Sequence, residues 1–339
     1  MSTYREAGVD LASADALVGR IEAAVTNTWS DQVRGGFGGF AAGVILPEGY
    51  RTPVLMMSTD GVGTKAELAR QTGLIDGLGF DLVAMCVDDL AAAGAKPLAF
   101  TDYIATGQLD VERMTRLVES IAAACLAADA ALLGGETAEH PGVMEPDAFD
   151  LAGAALGVVE AGDEITGDSV AAGDVVIGVA SPNVRSNGFS LIRSAVLTKR
   201  PLDSMVLDDS VTLGEALLAP SVIYSPAIQS VLAVAEVHAM AHVTGGGIAG
   251  NLVRVLPADL AATVDIGTWP RPPIFDLILD VGEIAVREAF AAFNMGLGFL
   301  VVAPPSEATS IRDALATAGH DSYVVGKVVE GDREVSIEH

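Results

Sequence analysis

The stretch Val54-Leu55-Met56-Met57-Ser58-Thr59-Asp60-Gly61-Val62-Gly63-Thr64-Lys65 decides how the chain is read. An apolar run leads into an acid, two spaced glycines, a hydroxyl and an amine. The run reads as a buried strand over Val54–Ser58 and the remainder as the turn that leaves it. An aspartate at a strand end can hold a magnesium ion. Glycines let backbone N–H groups approach phosphate, and a lysine adds a point charge. The order does not fit a P-loop, which needs Gly-x-x-x-x-Gly-Lys-Ser/Thr, nor a dinucleotide fingerprint. The stretch therefore predicts a nucleotide-phosphate site of another design.

Outward from this turn, strands and helices alternate. A helix over 13–28 precedes the glycine-rich loop Arg34-Gly35-Gly36-Phe37-Gly38-Gly39-Phe40. After the turn come a helix over Leu78–Ala95, with Leu82, Met85, Cys86 and Leu90 on one side, and a strand over Leu98–Ala105. A helix over Val111–Ala128 follows, capped by Asp110. A short strand over Ala131–Gly134 ends in Gly135-Glu136-Thr137-Ala138-Glu139, and another strand covers Leu151–Val159. The polar turn Val170–Asp174 marks a boundary, giving domains over 1–168 and 169–339. The second half reads as strand Val175–Ala180, turn Ser186-Asn187-Gly188, and helices over Phe189–Leu197 and 221–236. Strand Ala239–Val243 then enters Thr244-Gly245-Gly246-Gly247. Helices over Pro273–Leu279, Glu283–Phe293 and Glu307–Ala318 and strands over Gly296–Val302 and Tyr323–Val328 complete it. The fold class is α/β (α+β): two halves, each a mixed sheet with helices packed on one face.

Length and composition bound the chemistry. The chain has 339 residues and half are hydrophobic, enough for two cores. The 45 acidic and 19 basic residues give a net charge of -26, which argues against nucleic-acid or anionic-membrane partners. A phosphorylated substrate must then be held by magnesium, backbone amides and a few placed cations. Cys86 and Cys125 have no partner at metal spacing and read as small core residues. Met1–Asp10 carries charge and no apolar signal region, and no apolar run reaches the length of a membrane span. The expected location is cytoplasmic.

Taken together the motifs resemble those of the phosphoribosylformylglycinamidine cyclo-ligase family, also called aminoimidazole ribonucleotide synthetases. The matching stretches are Tyr4–Asp10, Gly35–Phe40, Thr59–Lys65, Asp81–Leu90, Gly134–Glu139, Ser186–Leu191, His242–Gly247, Arg254–Pro257 and Phe293–Gly298. They run in order along nearly the whole chain. The resemblance implies an ATP-dependent ring closure in purine biosynthesis. ATP phosphorylates the amide oxygen of formylglycinamidine ribonucleotide, the amidine nitrogen of the same molecule attacks, and phosphate leaves. It also implies a homodimer formed through the N-terminal sheet.

Such a reaction needs no activated Ser or Cys, and no Gly-x-Ser-x-Gly elbow is present. Phosphoryl transfer is largely positioning and charge stabilisation. Read this way, Asp60, Asp89 and Glu136 are the magnesium ligands, with Asp89 preferred to Asp88 because the family commonly has Asn there. Lys65, His242 and Glu136 are the catalytic candidates. Gly35, Gly36, Gly38 and Gly39 would form a lid over the ATP phosphates. Asp60, Gly61, Gly63, Thr64, Lys65, Thr244, Gly245 and Gly246 would hold those phosphates. Glu139, Arg185, Ser186, Asn187 and Gly188 would contact substrate. Each has a plainer alternative: helix caps for Ser186, Asn187 and the glutamates, a core histidine for His242, a solvated lysine for Lys65.

Two departures from the family pattern stand out. Arg185 occupies the place of a usual His, and Ala291 that of a usual Arg, so Arg185 is expected to compensate by clamping a substrate phosphate. His140, where the family often has Met, reads as loop variation. Selenophosphate synthetases, thiamine-monophosphate kinases and hydrogenase maturation factors share the superfamily and are the competing enzymes. The first would be expected to carry a Cys or selenocysteine in the glycine-rich loop and the last a C-terminal Cys, and this chain has neither. The kinase shares little of Gly134–Glu139. A non-catalytic ATP-binding paralogue is the competing reading from another class.

Overall fold

A computed structural model describes Gly8 and residues 10–338. Of the stretch Tyr4–Asp10, only Gly8 and Asp10 fall within the described residues. The elements of the first half are α1 (Leu11–Thr26), β1 (Val33–Arg34), β2 (Gly43–Val44), β3 (Pro53–Gly61), α2 (Lys65–Thr72), α3 (Leu78–Ala92), β4 (Lys96–Thr106), α4 (Val111–Ala127), β5 (Ala131–Glu139) and β6 (Phe149–Glu160). Asp110 caps α4 as expected, its side chain accepting from Arg113 N.

β3, β6, β4 and β5 form a mixed sheet in that order, with only the β4–β5 pair parallel. α3 and α4 cover one face. β3 is an edge strand, not a buried one. Its residues alternate, Met56 and Ser58 turning toward the helices while Leu55 and Met57 lie exposed on the other face. Tyr103 of β4 is exposed on that same open face. β5 is longer than expected, so Glu136 and Glu139 lie on the strand itself.

The second half contains β7 (Val175–Ala180), α5 (Phe189–Leu191, continued by a π turn over Ile192–Val196), β8 (Met205–Val206), β9 (Val211–Thr212), α6 (Leu213–Leu217), α7 (Ser225–Leu232), β10 (Ala239–His242) and α8 (Gly247–Leu252). It continues with β11 (Leu260–Asp265), α9 (Pro273–Gly282), α10 (Val286–Ala292), β12 (Leu297–Ala303), α11 (Ala308–Thr317), β13 (Ser322–Glu330) and β14 (Val335–Glu338). A six-stranded mixed sheet runs β10-β12-β7-β13-β11-β14.

This second sheet departs from the expectation of helices on one face. β12 is buried on both sides: Leu300 and Val302 join one core, and Phe299 and Val301 join another with α7 and α11. An unbroken apolar strand is what burial of both faces demands.

α3 joins the halves. Its apolar residues pack on the first sheet and α4, while Asp81, Met85, Asp88 and Asp89 turn toward the second half. These positions are spaced i, i+4, i+7 and i+8, a polar stripe on one helix face. Cys86 and Cys125 are buried as expected. Burial pushes the Cys86 thiol up to about 12, and Cys125 also lies well above its ordinary value for the same reason, so neither is a ready nucleophile.

Candidate active site

Three of the expected turns come together along the polar face of α3. Thr64 Oγ1, in the turn after β3, lies 3.3 Å from Ser190 Oγ at the start of α5. Asn187 reaches α3 by donating to Met85 Sδ at 3.9 Å. A Cβ on Gly245 would stand 3.6 Å from Asn187 Oδ1, so the Ser186–Gly188 and Thr244–Gly247 turns adjoin. Two glycines make this packing possible. Gly188 has φ +82, and a Cβ there would fall 2.2 Å from the Phe293 ring. Gly247 has φ +62, and its Cβ would fall 1.9 Å from Phe290 O.

Beside these turns a cavity of about 520 Å³ is lined by Ser58, Asp89, His242, Asn251 and Arg254 among others. Asn251 organises the glycine turn, its Nδ2 donating to the carbonyls of Thr244, Gly245 and Gly247. Arg254 Nη1 donates to Asn251 Oδ1 at 3.4 Å. Asn251 escapes sequence reasoning because it sits within an ordinary helix start. Its spacing of four residues after Gly247 is the signal that could have found it.

The carboxylates divide into two groups. Asp60 and Ser58 share a face of β3, and Ser58 Oγ donates to Asp89 Oδ2 at 3.3 Å, so Asp60 and Asp89 lie against the same end of that strand. Asp60 is exposed, and its Oδ1 accepts from Gly61 N at 2.7 Å. Glu136 stands elsewhere. Register places Asp60, Gly153, Asp102 and Gly135 in one row across the sheet. The next residue, Glu136, is thus about 14 Å away across three strand spacings, and it faces the open side. Among the described residues no three His, Cys, Asp or Glu side chains group closely enough to hold a metal ion. The expected Asp60–Asp89–Glu136 triad is therefore not assembled within the chain. Asp60 and Asp89 together still suit magnesium, which commonly takes one or two carboxylates plus waters and phosphate oxygens.

Four other expected site residues are buried or engaged. Lys65 is not aimed at a phosphate. It is fully buried, with Nζ 2.7 Å from Asp81 Oδ2 and donating to Arg185 O and Ala219 O. Burial pulls its pKa down, opposed by the Asp81 carboxylate. Glu139 accepts from Asp10 N and Leu109 N, one on each oxygen, which ties strand β5 to the start of α1 and leaves little for a substrate. Arg185 is 1% exposed and pairs with Asp88 at 3.0 Å, so it clamps no substrate phosphate and cannot stand in for an arginine at the exposed Ala291. The two unusual residues, Asp88 and Arg185, are instead each other's partners. His242 is also buried, with both ring nitrogens in contact with Arg185 and Asp89, although its side chain borders the cavity.

The glycine-rich loop joins β1 and β2. Gly39 N donates to Gly36 O, Phe37 packs against the core, and Phe40 is fully exposed.

Asp102, in the middle of the carboxylate row, was not singled out by sequence. Burial raises its carboxyl to about 7, with Glu136 adding like charge. The unfolded group titrates near 3.8, so between about pH 4 and about pH 7 the folded chain keeps a proton that the unfolded chain releases. This contribution to stability is therefore lost as pH rises through that window, by at most about 4 kcal/mol. Asp102→Asn should flatten that part of the profile. Urea unfolding of both proteins across the window checks it, and parallel profiles would show that Asp102 titrates normally.

Comparisons with known proteins agree with this architecture. Residues 41–159 match the family described as "AIR synthase related protein, N-terminal domain", and residues 171–338 match its C-terminal domain. A phosphoribosylformylglycinamidine cyclo-ligase of Carboxydothermus hydrogenoformans is 45% identical over 338 residues, covering 99% of this chain and 98% of the relative. One from Xanthomonas campestris is 44% identical over 342 residues, covering 99% of each. Among solved structures, a thiamine-monophosphate kinase from Stenotrophomonas maltophilia superposes with TM-score 0.68 at 20% identity, over 97% of this chain and 96% of that one. The hydrogenase maturation protein HypE in complex with ATP gives 0.65 at 16%, over 96% and 89%. These two likenesses concern the fold alone. Full-length relatedness at such identity, with both family domains in order, makes this chain a member of the phosphoribosylformylglycinamidine cyclo-ligase family.

Proposed function

We propose that the chain closes the imidazole ring of aminoimidazole ribonucleotide from formylglycinamidine ribonucleotide, using ATP as the phosphoryl donor. The observation that carries this reading is the meeting of the Asp60–Lys65, Ser186–Ser190 and Thr244–Gly247 turns along one face of α3, beside Asp89. Nucleophile and electrophile belong to one substrate, so the protein's task is to orient them and to stabilise charge on the transferring phosphoryl group. Asp60 and Asp89 would hold the magnesium of Mg-ATP, which supplies neutralisation of phosphate charge. The backbone N–H groups of Gly61–Thr64 and Thr244–Gly246 would bind phosphate oxygens. Asn187 and Ser186 face the seam from the second half, which is divided from the first near residue 169, and would orient the substrate. The loop Gly35–Gly39 closes over the nucleotide, its Phe40 left exposed for that contact. Purified protein incubated with Mg-ATP and formylglycinamidine ribonucleotide should yield aminoimidazole ribonucleotide, ADP and phosphate. ATP binding with no imidazole product would overturn the reading in favour of a non-catalytic paralogue.

The open face of the first sheet supports a homodimer. Leu55 and Met57 on β3 and Tyr103 on β4 place apolar side chains on a sheet surface that no helix covers among the described residues. A second copy of the same sheet is a self-complementary cover. Met57→Asp should shift the molecule to monomer in light scattering after gel filtration, and an unchanged mass would remove this face from the interface. Among the described residues no helix is long and apolar enough to cross a membrane. A cytoplasmic setting suits a substrate and donor of this kind.

A further inference from the structure

The buried charges behind Asp89 form a chain of contacts with one consistent arrangement of protons. Arg185 Nη2 donates to Asp88 Oδ2 at 3.0 Å and stands 3.0 Å from His242 Nε2. The guanidinium lies over the Tyr224 ring, 4.8 Å from its centroid. Asp88 Oδ1 accepts from Tyr224 N and Ser225 N at the start of α7. On the other side, His242 Nδ1 lies 2.9 Å from Asp89 Oδ1. His242 also stacks on Phe299, with centroids 6.2 Å apart, which holds the plane of its ring.

Arginine has donors only and keeps its charge. His242 Nε2 must therefore accept from Arg185, and the ring proton must sit on Nδ1, where it donates to Asp89. The opposite tautomer would set N–H against N–H at Arg185 and a bare nitrogen against a carboxylate at Asp89. Asp88 is what holds the guanidinium in place to impose this choice.

We propose that Asp88, Arg185 and His242 form a positioning relay that fixes the Nδ1–H tautomer of His242 and thereby aims Asp89 into the cavity. His242 and Ser58 each take one oxygen of Asp89, and Asp89 itself lines the cavity, where its remaining lone pairs would serve magnesium. The part concerning magnesium rests on that reading; the tautomer does not. Groups that orient a metal-binding carboxylate in this way are worth about tenfold to a hundredfold in affinity or activity when removed.

Two substitutions test the relay by geometry. The side-chain amide nitrogen of Asn overlies histidine Nδ1, and that of Gln overlies Nε2. His242→Asn keeps the donor to Asp89 and should lose only a few-fold in turnover and in magnesium affinity. His242→Gln should lose tenfold to a hundredfold in magnesium affinity. Equal losses in the two variants would overturn the relay. The imidazole nitrogens of wild type, followed by 15N NMR near neutral pH, should report a proton on Nδ1 for His242. That signal should lose part of its intensity to the Nε2–H tautomer in Asp88→Asn/Arg185→Gln, where Asp89 alone still selects Nδ1–H; the pair removes both charges together so that neither is left buried alone. A proton on Nε2 in wild type would overturn the proposal whether or not the enzyme makes aminoimidazole ribonucleotide. Absence of that product with the Nδ1 signal intact would count against the function and leave the relay standing.

Discussion

Replacing Lys65 by methionine should lower the unfolding free energy by about 3–5 kcal/mol, because it strands a buried carboxylate. Lys65 and Asp81 are both fully buried, and their contact at 2.7 Å is the only charge compensation either obtains at that distance among the described residues. Asp81 Oδ1 also accepts from Ser221 N and Oγ, and Lys65 Nζ donates to Arg185 O and Ala219 O. The pair thus sits where α2 and α3 of the first half meet two loops of the second. Removing the ammonium leaves Asp81 with two neutral donors in a fully buried site, where an ion's desolvation costs far more than those bonds return. Lys65→Met/Asp81→Leu, which removes both charges, should be closer to wild type than the single variant. Urea unfolding of the three proteins measures this. A Lys65→Met protein with wild-type stability and no turnover would instead assign the amine to the phosphates, as the Asp-Gly-Val-Gly-Thr-Lys order alone predicts.

That contrast shows what the order of residues can and cannot convey. The strand–turn at Asp60, the Asp110 cap of α4 and the strand Val175–Ala180 are local: each follows from turn chemistry and apolar spacing within a few residues. β11 and β14 are not local. β14 is a four-residue edge strand of alternating exposure that pairs only with β11, so its existence depends on a partner some seventy residues earlier in the chain. The same limit applies within the site. The three turns could be named from glycines and hydroxyls. Whether Lys65, Arg185 and Glu139 point into the cleft or into protein depends on what packs over them. α3 is covered by its own sheet on one side and by the second half on the other, so charged residues that read as exposed become internal partners. The stripe Asp81, Met85, Asp88, Asp89 is not legible in the sequence, where Met85 groups with Leu82, Cys86 and Leu90; it emerges only from the Lys65, Asn187, Arg185 and His242 contacts.

Asp60→Asn should reduce turnover by about a hundredfold or more while leaving the fold unchanged, the reverse of the Lys65 result. Asp60 is exposed, and its one short contact, Oδ1 accepting from Gly61 N at 2.7 Å, is kept by the asparagine oxygen. The substitution therefore conserves the geometry of the turn and removes only charge. A neutral amide is a weaker ligand for magnesium than a carboxylate, and Asp89 alone would then hold the ion from the protein side. Part of the loss should be recovered at high magnesium, because the defect lies in occupancy of the site. Glu136→Gln provides the contrast. Glu136 lies about 14 Å away across the sheet and on its opposite face, so its replacement should leave the magnesium requirement of the reaction unchanged. Titrating magnesium against initial rate in the three proteins separates these outcomes. An Asp60→Asn enzyme with a normal rate would remove Asp60 from the metal, and a shifted magnesium requirement in Glu136→Gln would mean that the site draws a carboxylate from the open face of a neighbouring copy.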